Sequence, residues 1–103
     1  MRENYFEDGK WWVSPYNFEP EVRQGLELPA KVEIHDATLR DGEQTPGVVF
    51  SIDDKIAIAS KLDELGVDRI EAGMPAVSPQ DATAITEISK LGLKSKIYTF
   101  ARA

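Results

Sequence analysis

The sequence predicts a parallel α/β unit of the form strand, helix, strand, helix, strand, preceded by an irregular leader. Three observations predict it. Short apolar runs stand at "KVEIHDA", "VDRIEAG" and "KSKIYTF"; two longer stretches between them carry apolar residues at three- and four-residue spacing; and each of those stretches opens on a serine and closes on a glycine. Strands alternating with amphipathic helices of this length call for a parallel sheet with right-handed crossovers.

The leader, residues 1–30, has no sustained period. Pro15, Pro20 and Pro29, with Gly9 and Gly25, break it, and only "EPEVRQGLE" offers a short helix. Trp11, Trp12, Tyr16 and Phe18 are too apolar for a free tail and are expected to pack on the following domain or on a second subunit.

From Lys31 the pattern turns regular. Val32 and Ile34 alternate with polar neighbours in a strand expected near 32–37. Ile52, Ile56, Ala59, Leu62 and Leu65 then form the apolar stripe of a helix expected near 52–65. Ser51 is placed as its N-cap, Asp54 as the acid of a capping box and Gly66 as its C-cap. Val67 and Ile70 mark a second strand near 67–72. Ser78 followed by Pro79 opens a second helix near 79–91, with Ala82, Ile85, Ile88 and Leu91 as its stripe. A third strand is expected near 96–100.

Composition narrows the function classes. At 103 residues and 42% hydrophobic content the chain suits one modest core. A net charge of -6 argues against a nucleic-acid footprint or a polybasic membrane patch. The absence of cysteine excludes a disulfide framework, thiolate catalysis and Cys-ligated zinc. No apolar run is long enough for a membrane span and the first residues lack a signal-peptide core, so a cytoplasmic location is expected.

The chemistry concentrates in "DATLRDGEQ", residues 36–44, where Asp36, Arg40, Asp41, Glu43 and Gln44 follow directly on the first strand. In parallel α/β folds, ligands collect where strands end and their loops begin. Asp41 offers a hard oxygen ligand for a divalent cation, and Arg40 a planar cation for a carboxylate or an enolate oxygen. Gly42 is expected to let the chain turn sharply, and Gln44 to contact a ligand. The competing reading is a surface charge pair between Arg40 and Asp41 in a solvated turn.

"DATLRDGEQTPGVVFS" resembles the first-strand signature of the metal-dependent Claisen-condensing enzymes: 2-isopropylmalate, homocitrate and citramalate synthases. 3-Hydroxy-3-methylglutaryl-CoA lyase and the carboxyltransferase domains of biotin enzymes are more distant relatives. "GVDRIEAGMPAVSP" is similar to the second strand and loop of that family and "YTFARA" to its third strand, so the resemblance spans residues 31–103. It implies a TIM (β/α)8 barrel, a divalent cation (Mg²⁺, Mn²⁺ or Zn²⁺), acetyl-CoA as co-substrate, a 2-oxo acid as substrate and a homodimer. Asp41 matches the metal-ligating carboxylate, Arg40 the group that stabilises oxyanion charge, and Gln44 a substrate contact. Glu71 in "RIEAG" matches an active-site acid near the metal, with a structural role as its alternative. Glu43 favours the synthases, because the lyase branch carries leucine there.

Some positions depart from the family. Ala37 replaces a threonine, and the late-strand H-x-H metal pair is missing. His35, the sole histidine, is taken as a core or strand residue. Phe100 stands where one homocitrate branch carries histidine, which disfavours 2-oxoglutarate. Since a closed barrel takes about 250 residues, residues 31–103 are expected to be the N-terminal βαβαβ part of one. Alone, the chain is expected to lack turnover, with an inactive truncated product as the limiting case.

Overall fold

The computed structural model describes residues 6–103. The chain divides into two compact units, Met1–Lys31 and Val32–Ala103.

In the first unit, β1 (Phe6–Glu7) and β2 (Trp11–Trp12) form a two-residue antiparallel hairpin, with Phe6 opposite Trp12 and Glu7 opposite Trp11. Its turn places Gly9 at φ 72°, a left-handed conformation that glycine adopts without a Cβ clash. A 3-10 turn (Pro15–Phe18) and the single-turn helix α1 (Pro20–Arg23) follow, each with proline in its first turn. The Arg23 guanidinium lies 4.8 Å over the Phe18 ring. Within residues 6–30 the short helix falls inside "EPEVRQGLE" as expected, while the hairpin was not foreseen, because strands of two residues are too short to show any alternation.

The second unit holds β3 (His35–Asp36), β4 (Arg69–Glu71) and β5 (Lys96–Tyr98), with α2 (Ile52–Leu65) and α3 (Pro79–Lys90) between them. The sheet order is β3-β4-β5 and both pairings are parallel, His35 aligning with Arg69 and Glu71 with Tyr98. Hydrogen bonds extend the ladder beyond the strands. The Ile34 carbonyl accepts from the Asp68 and Arg69 N–H groups at 3.1 Å, and the Phe100 N–H donates to Gly73 at 2.9 Å.

Both helices begin as the sequence dictates. The Ser51 hydroxyl accepts from the Asp54 N–H at 3.1 Å, while the Asp54 carboxylate accepts from the Ser51 N–H at 2.9 Å, closing a capping box. The Ser51 hydroxyl also donates to that carboxylate at 2.7 Å, and this bond first, the one from the Ser51 N–H second, holds the Asp54 carboxyl below its ordinary range. Gly66 ends α2 at φ 92°. The Ser78 hydroxyl caps α3 by accepting from the Asp81 N–H, with Pro79 at the first helical position.

The core lies between the helices and one face of the sheet. Leu39, Ala59, Ile70, Ala84 and Ile88 are fully buried, and Ile56, Leu62, Ile85 and Ile97 pack around them. Each fully buried leucine or isoleucine contributes about 1.5–3 kcal/mol. Several expectations need correction. Leu65, the last residue of α2, is 77% exposed, and Leu91 is exposed just after α3 ends. Val32 and Ile34 are exposed at 68% and 55% and stand outside the strand expected near 32–37, which is limited to His35–Asp36. Lys55 and Asp81 are buried in their stead. Among the described residues no helix is long and apolar enough to cross a membrane.

Candidate functional site

Along β4 the side chains alternate: Ile70 joins the core, while Arg69 and Glu71 face the opposite side of the sheet. On that side the carboxyl ends of all three strands contribute to one cluster. Arg40, from the loop after β3, donates from Nε to Glu71 Oε1 at 2.5 Å. His35, on β3, lies with Nε2 3.0 Å from Glu71 Oε2. Tyr98, on β5, presents its ring to the His35 imidazole with centroids 5.8 Å apart in an edge arrangement. The Arg40 guanidinium also lies 4.9 Å over the Phe100 ring and 3.5 Å from Asp41 Oδ1.

The electrostatics follow from these contacts. The Arg40 hydrogen bond, supported by that of His35, holds the Glu71 carboxyl below the usual glutamate range, although burial pushes it the other way. Glu71 is therefore an anion at neutral pH. The same hydrogen bond raises the Arg40 pKa further above its already high value. His35 sits in no core: its side chain is 41% exposed and its ring is tied to Glu71. Of the expectation that His35 is a core or strand residue, the strand part holds, since it stands in β3, and its link to Glu71 was not foreseen because that partner lies 36 positions away in the chain.

The turn that carries the motif is made by the backbone. The Ala37 carbonyl accepts from the N–H groups of Arg40, Asp41 and Gly42 at 2.8–3.2 Å, and Asp36 caps the preceding bend by accepting from the Thr38 N–H at 2.9 Å. Gly42 lies in a 3-10 turn (Gly42–Gln44) without positive φ, and an added Cβ would meet only ordinary contacts with Thr38. Its expected conformational role is not used. Gly73, directly after β4, is the glycine that is needed, at φ 141° with Ile85 3.6 Å from where a Cβ would stand.

A second ionic cluster went unnoticed in the sequence. Lys55, 3% exposed, holds Glu43 Oε2 at 2.8 Å and also pairs with the Asp81 carboxylate. Burial lowers the Lys55 pKa, but the hydrogen bonds to Asp81 and Glu43 outweigh it and leave the ammonium raised above its ordinary value. Glu43 Oε1 accepts from the Phe50 N–H at 3.3 Å. Next to this cluster is a cleft of about 270 Å³ whose lining includes Arg40, Gln44, Phe50, Met74 and Val77. The signal was present in the periodicity. Lys55 is in phase with Ala59 and Leu62, and Asp81 with Ala84 and Ile88, so both fall on core stripes.

A hard divalent cation takes six or more oxygen ligands. Among the described residues no group of three or more His, Asp or Glu could hold a metal ion. Asp41, its side chain 73% exposed, fits one position of such a site, and Glu71 is already committed to Arg40 and His35. The described residues do not make a metal centre by themselves.

Fold and cluster together define a class: a parallel α/β domain that gathers an arginine, an ionised glutamate and an exposed aspartate at the carboxyl ends of its strands. The HMGL-like family pattern matches residues 31–103, and the chain belongs to that family. It is similar to homocitrate synthase AksA of Methanothermobacter thermautotrophicus, 45% identical over 90% of this chain and 23% of the relative. It is also similar to 2-isopropylmalate synthase of Methanocaldococcus jannaschii, 52% identical over 78% of this chain and 15% of the relative. Homocitrate synthase 1 of Nostoc sp. is 51% identical over 71% of this chain and 19% of its own length. The chain thus spans between 15% and 23% of the length of these curated relatives.

Proposed function

We propose that the whole protein is an acyltransferase that condenses acetyl-CoA with a 2-oxo acid in amino-acid biosynthesis, on a TIM barrel that residues 31–103 begin. The observation that carries the reading is the convergence of Arg40 and Glu71 from successive strand ends beside Asp41, in a chain whose similar relatives carry synthase names. In the reaction the acetyl methyl group loses a proton, its carbon attacks the keto carbon, the resulting alkoxide takes up a proton, and water cleaves the thioester to release CoA. Arg40 is the residue that meets oxyanion charge. Its fork is held by Glu71 and by the Phe100 face, so little reorganisation is left for the moment of reaction. Glu71, as an anion, orients Arg40 and accepts a hydrogen bond from the hydroxyl that forms when the condensation alkoxide takes up its proton. Gln44, on the cleft wall, contacts the 2-oxo acid. Asp41 would be one ligand of a divalent cation, Mg²⁺, Mn²⁺ or Zn²⁺, which when bound supplies Lewis-acid polarisation of the keto acid. A homodimer in the cytoplasm completes the proposal.

The test is to assay the whole protein for acetyl-CoA-dependent release of CoA thiol against branched, acidic and short 2-oxo acids. Release with one of them supports the synthase. Cleavage of a 3-hydroxy-3-methylglutaryl thioester without such release would make it a lyase instead.

A further inference from the structure

We propose that Lys55 is a positioning residue of the cleft: by bridging Glu43 to Asp81 it fixes the Asp41–Gln44 turn against the first turn of α3, and so sets the separation of the two loops between which a ligand must fit. The inference rests on reading this cleft as the 2-oxo acid site.

Lysine is almost never fully buried unless its charge is paired. At 3% exposure Lys55 has two carboxylates on its ammonium, and they come from different parts of the chain. Glu43 belongs to the turn after β3. Asp81 belongs to α3, which follows β4 and the loop carrying Met74 and Val77. The Lys55 stem runs in phase with the core stripe of α2, so the helix serves as a rigid base from which the ammonium reaches both.

Glu43 is pinned at both oxygens, by the Phe50 N–H and by Lys55. Its chain neighbours are then pinned with it. Gln44 is bonded through its N–H to the Asp41 carbonyl at 3.1 Å, and Gln44 and Arg40 from the first loop line the cleft together with Met74 and Val77 from the second. An apolar residue at position 55 would fill the same space. Only a cation there holds an acid of one loop against an acid of the next helix.

The experiment uses the whole protein and avoids leaving buried charges unpaired. In the triple variant Glu43→Leu/Lys55→Met/Asp81→Leu all three charges are replaced together, and Lys55→Arg keeps the cation. Amide hydrogen exchange is measured at Gln44, Thr45 and Val48, with α2 and β4 as internal references, alongside KM for the 2-oxo acid and kcat. In the folded triple variant the turn amides should exchange at least about tenfold faster while the references hold, and KM should rise about tenfold with kcat little changed, each tenfold factor equivalent to about 1.4 kcal/mol. Lys55→Arg should recover most of both effects. Unchanged turn exchange, or faster exchange with unchanged KM, would overturn the proposal. If the wild-type protein releases no CoA with any 2-oxo acid, the functional reading fails and exchange alone decides the positioning claim.

Discussion

The molecule holds two chains of charge that look alike on paper and differ in what surrounds them. In one, Glu71 sits between Arg40 and His35 on the open face of the sheet; in the other, Lys55 sits between Glu43 and Asp81 under the loops. The central group of each is mostly buried. The difference lies at the periphery: His35 keeps 41% of its side chain accessible and Asp41, beside Arg40, keeps 73%, whereas Glu43 and Asp81 keep 23% and 11% around an enclosed Lys55 ammonium. The first cluster retains donors and acceptors for something else to bind. The second has spent its hydrogen-bonding capacity on itself. Ionic groups gathered in one place therefore do not by themselves identify a site; residual capacity does.

The comparison can be broken first at Lys55. Lys55→Met leaves Glu43 and Asp81 facing each other without a cation, and removing one member of a buried ionic set costs about 3–5 kcal/mol. Replacing all three members by apolar residues should cost far less, because no charge is left stranded. Urea unfolding of the two variants against wild type checks both statements. Equal losses in the single and the triple variant would mean that packing, not charge pairing, dominates there.

At the other cluster the effect should appear in turnover and not in folding. Arg40→Lys keeps a cation but loses the planar fork that meets Glu71 and the Phe100 face, so kcat in the whole protein should fall by about 10². Asp41→Asn should weaken divalent-metal affinity and be partly restored by added metal, because an exposed anionic ligand becomes neutral. Thiol release and calorimetry separate the two. Near-wild-type turnover in Arg40→Lys would return "RDG" to a solvated turn.

How much of this the sequence disclosed follows the same division. The helices, their caps and the parallel order were readable because each depends on spacing within a dozen residues: Ser51 with Asp54, Ser78 with Pro79, the stripe from Ile52 to Leu62. Arg40, Asp41 and Gln44 stood out as polar groups beside a strand. His35 with Glu71 and Lys55 with Asp81 were unreadable as pairs, since 36 and 26 positions separate their members and only the sheet and the helix packing bring them together. The burial of Lys55 was within reach, as a charged residue in phase with Ala59 and Leu62 has to be paired. The two-residue strands β1 and β2 are below what alternation can reveal.

The smallest effect, and the one that sets the two clusters apart without touching catalysis, is in the pH dependence of stability. The Glu71 pKa is lowered in the folded state by Arg40 and His35. Its contribution is therefore present above the ordinary glutamate value of about 4.3 and is lost as the pH falls through the lower folded value. The Lys55 pKa is raised, so its contribution is present below the ordinary lysine value of about 10.4 and is lost as the pH climbs through the higher folded value. The two clusters should fail at opposite ends of the scale. Melting temperatures of wild type and Glu71→Gln, measured across the acid range, should converge as the pH drops. The alkaline limb should be the same in both, because it belongs to Lys55. A Glu71→Gln variant that parallels wild type through the acid limb would show that the Arg40 and His35 hydrogen bonds do not favour the ionised form. The open-face cluster would then be held by geometry alone.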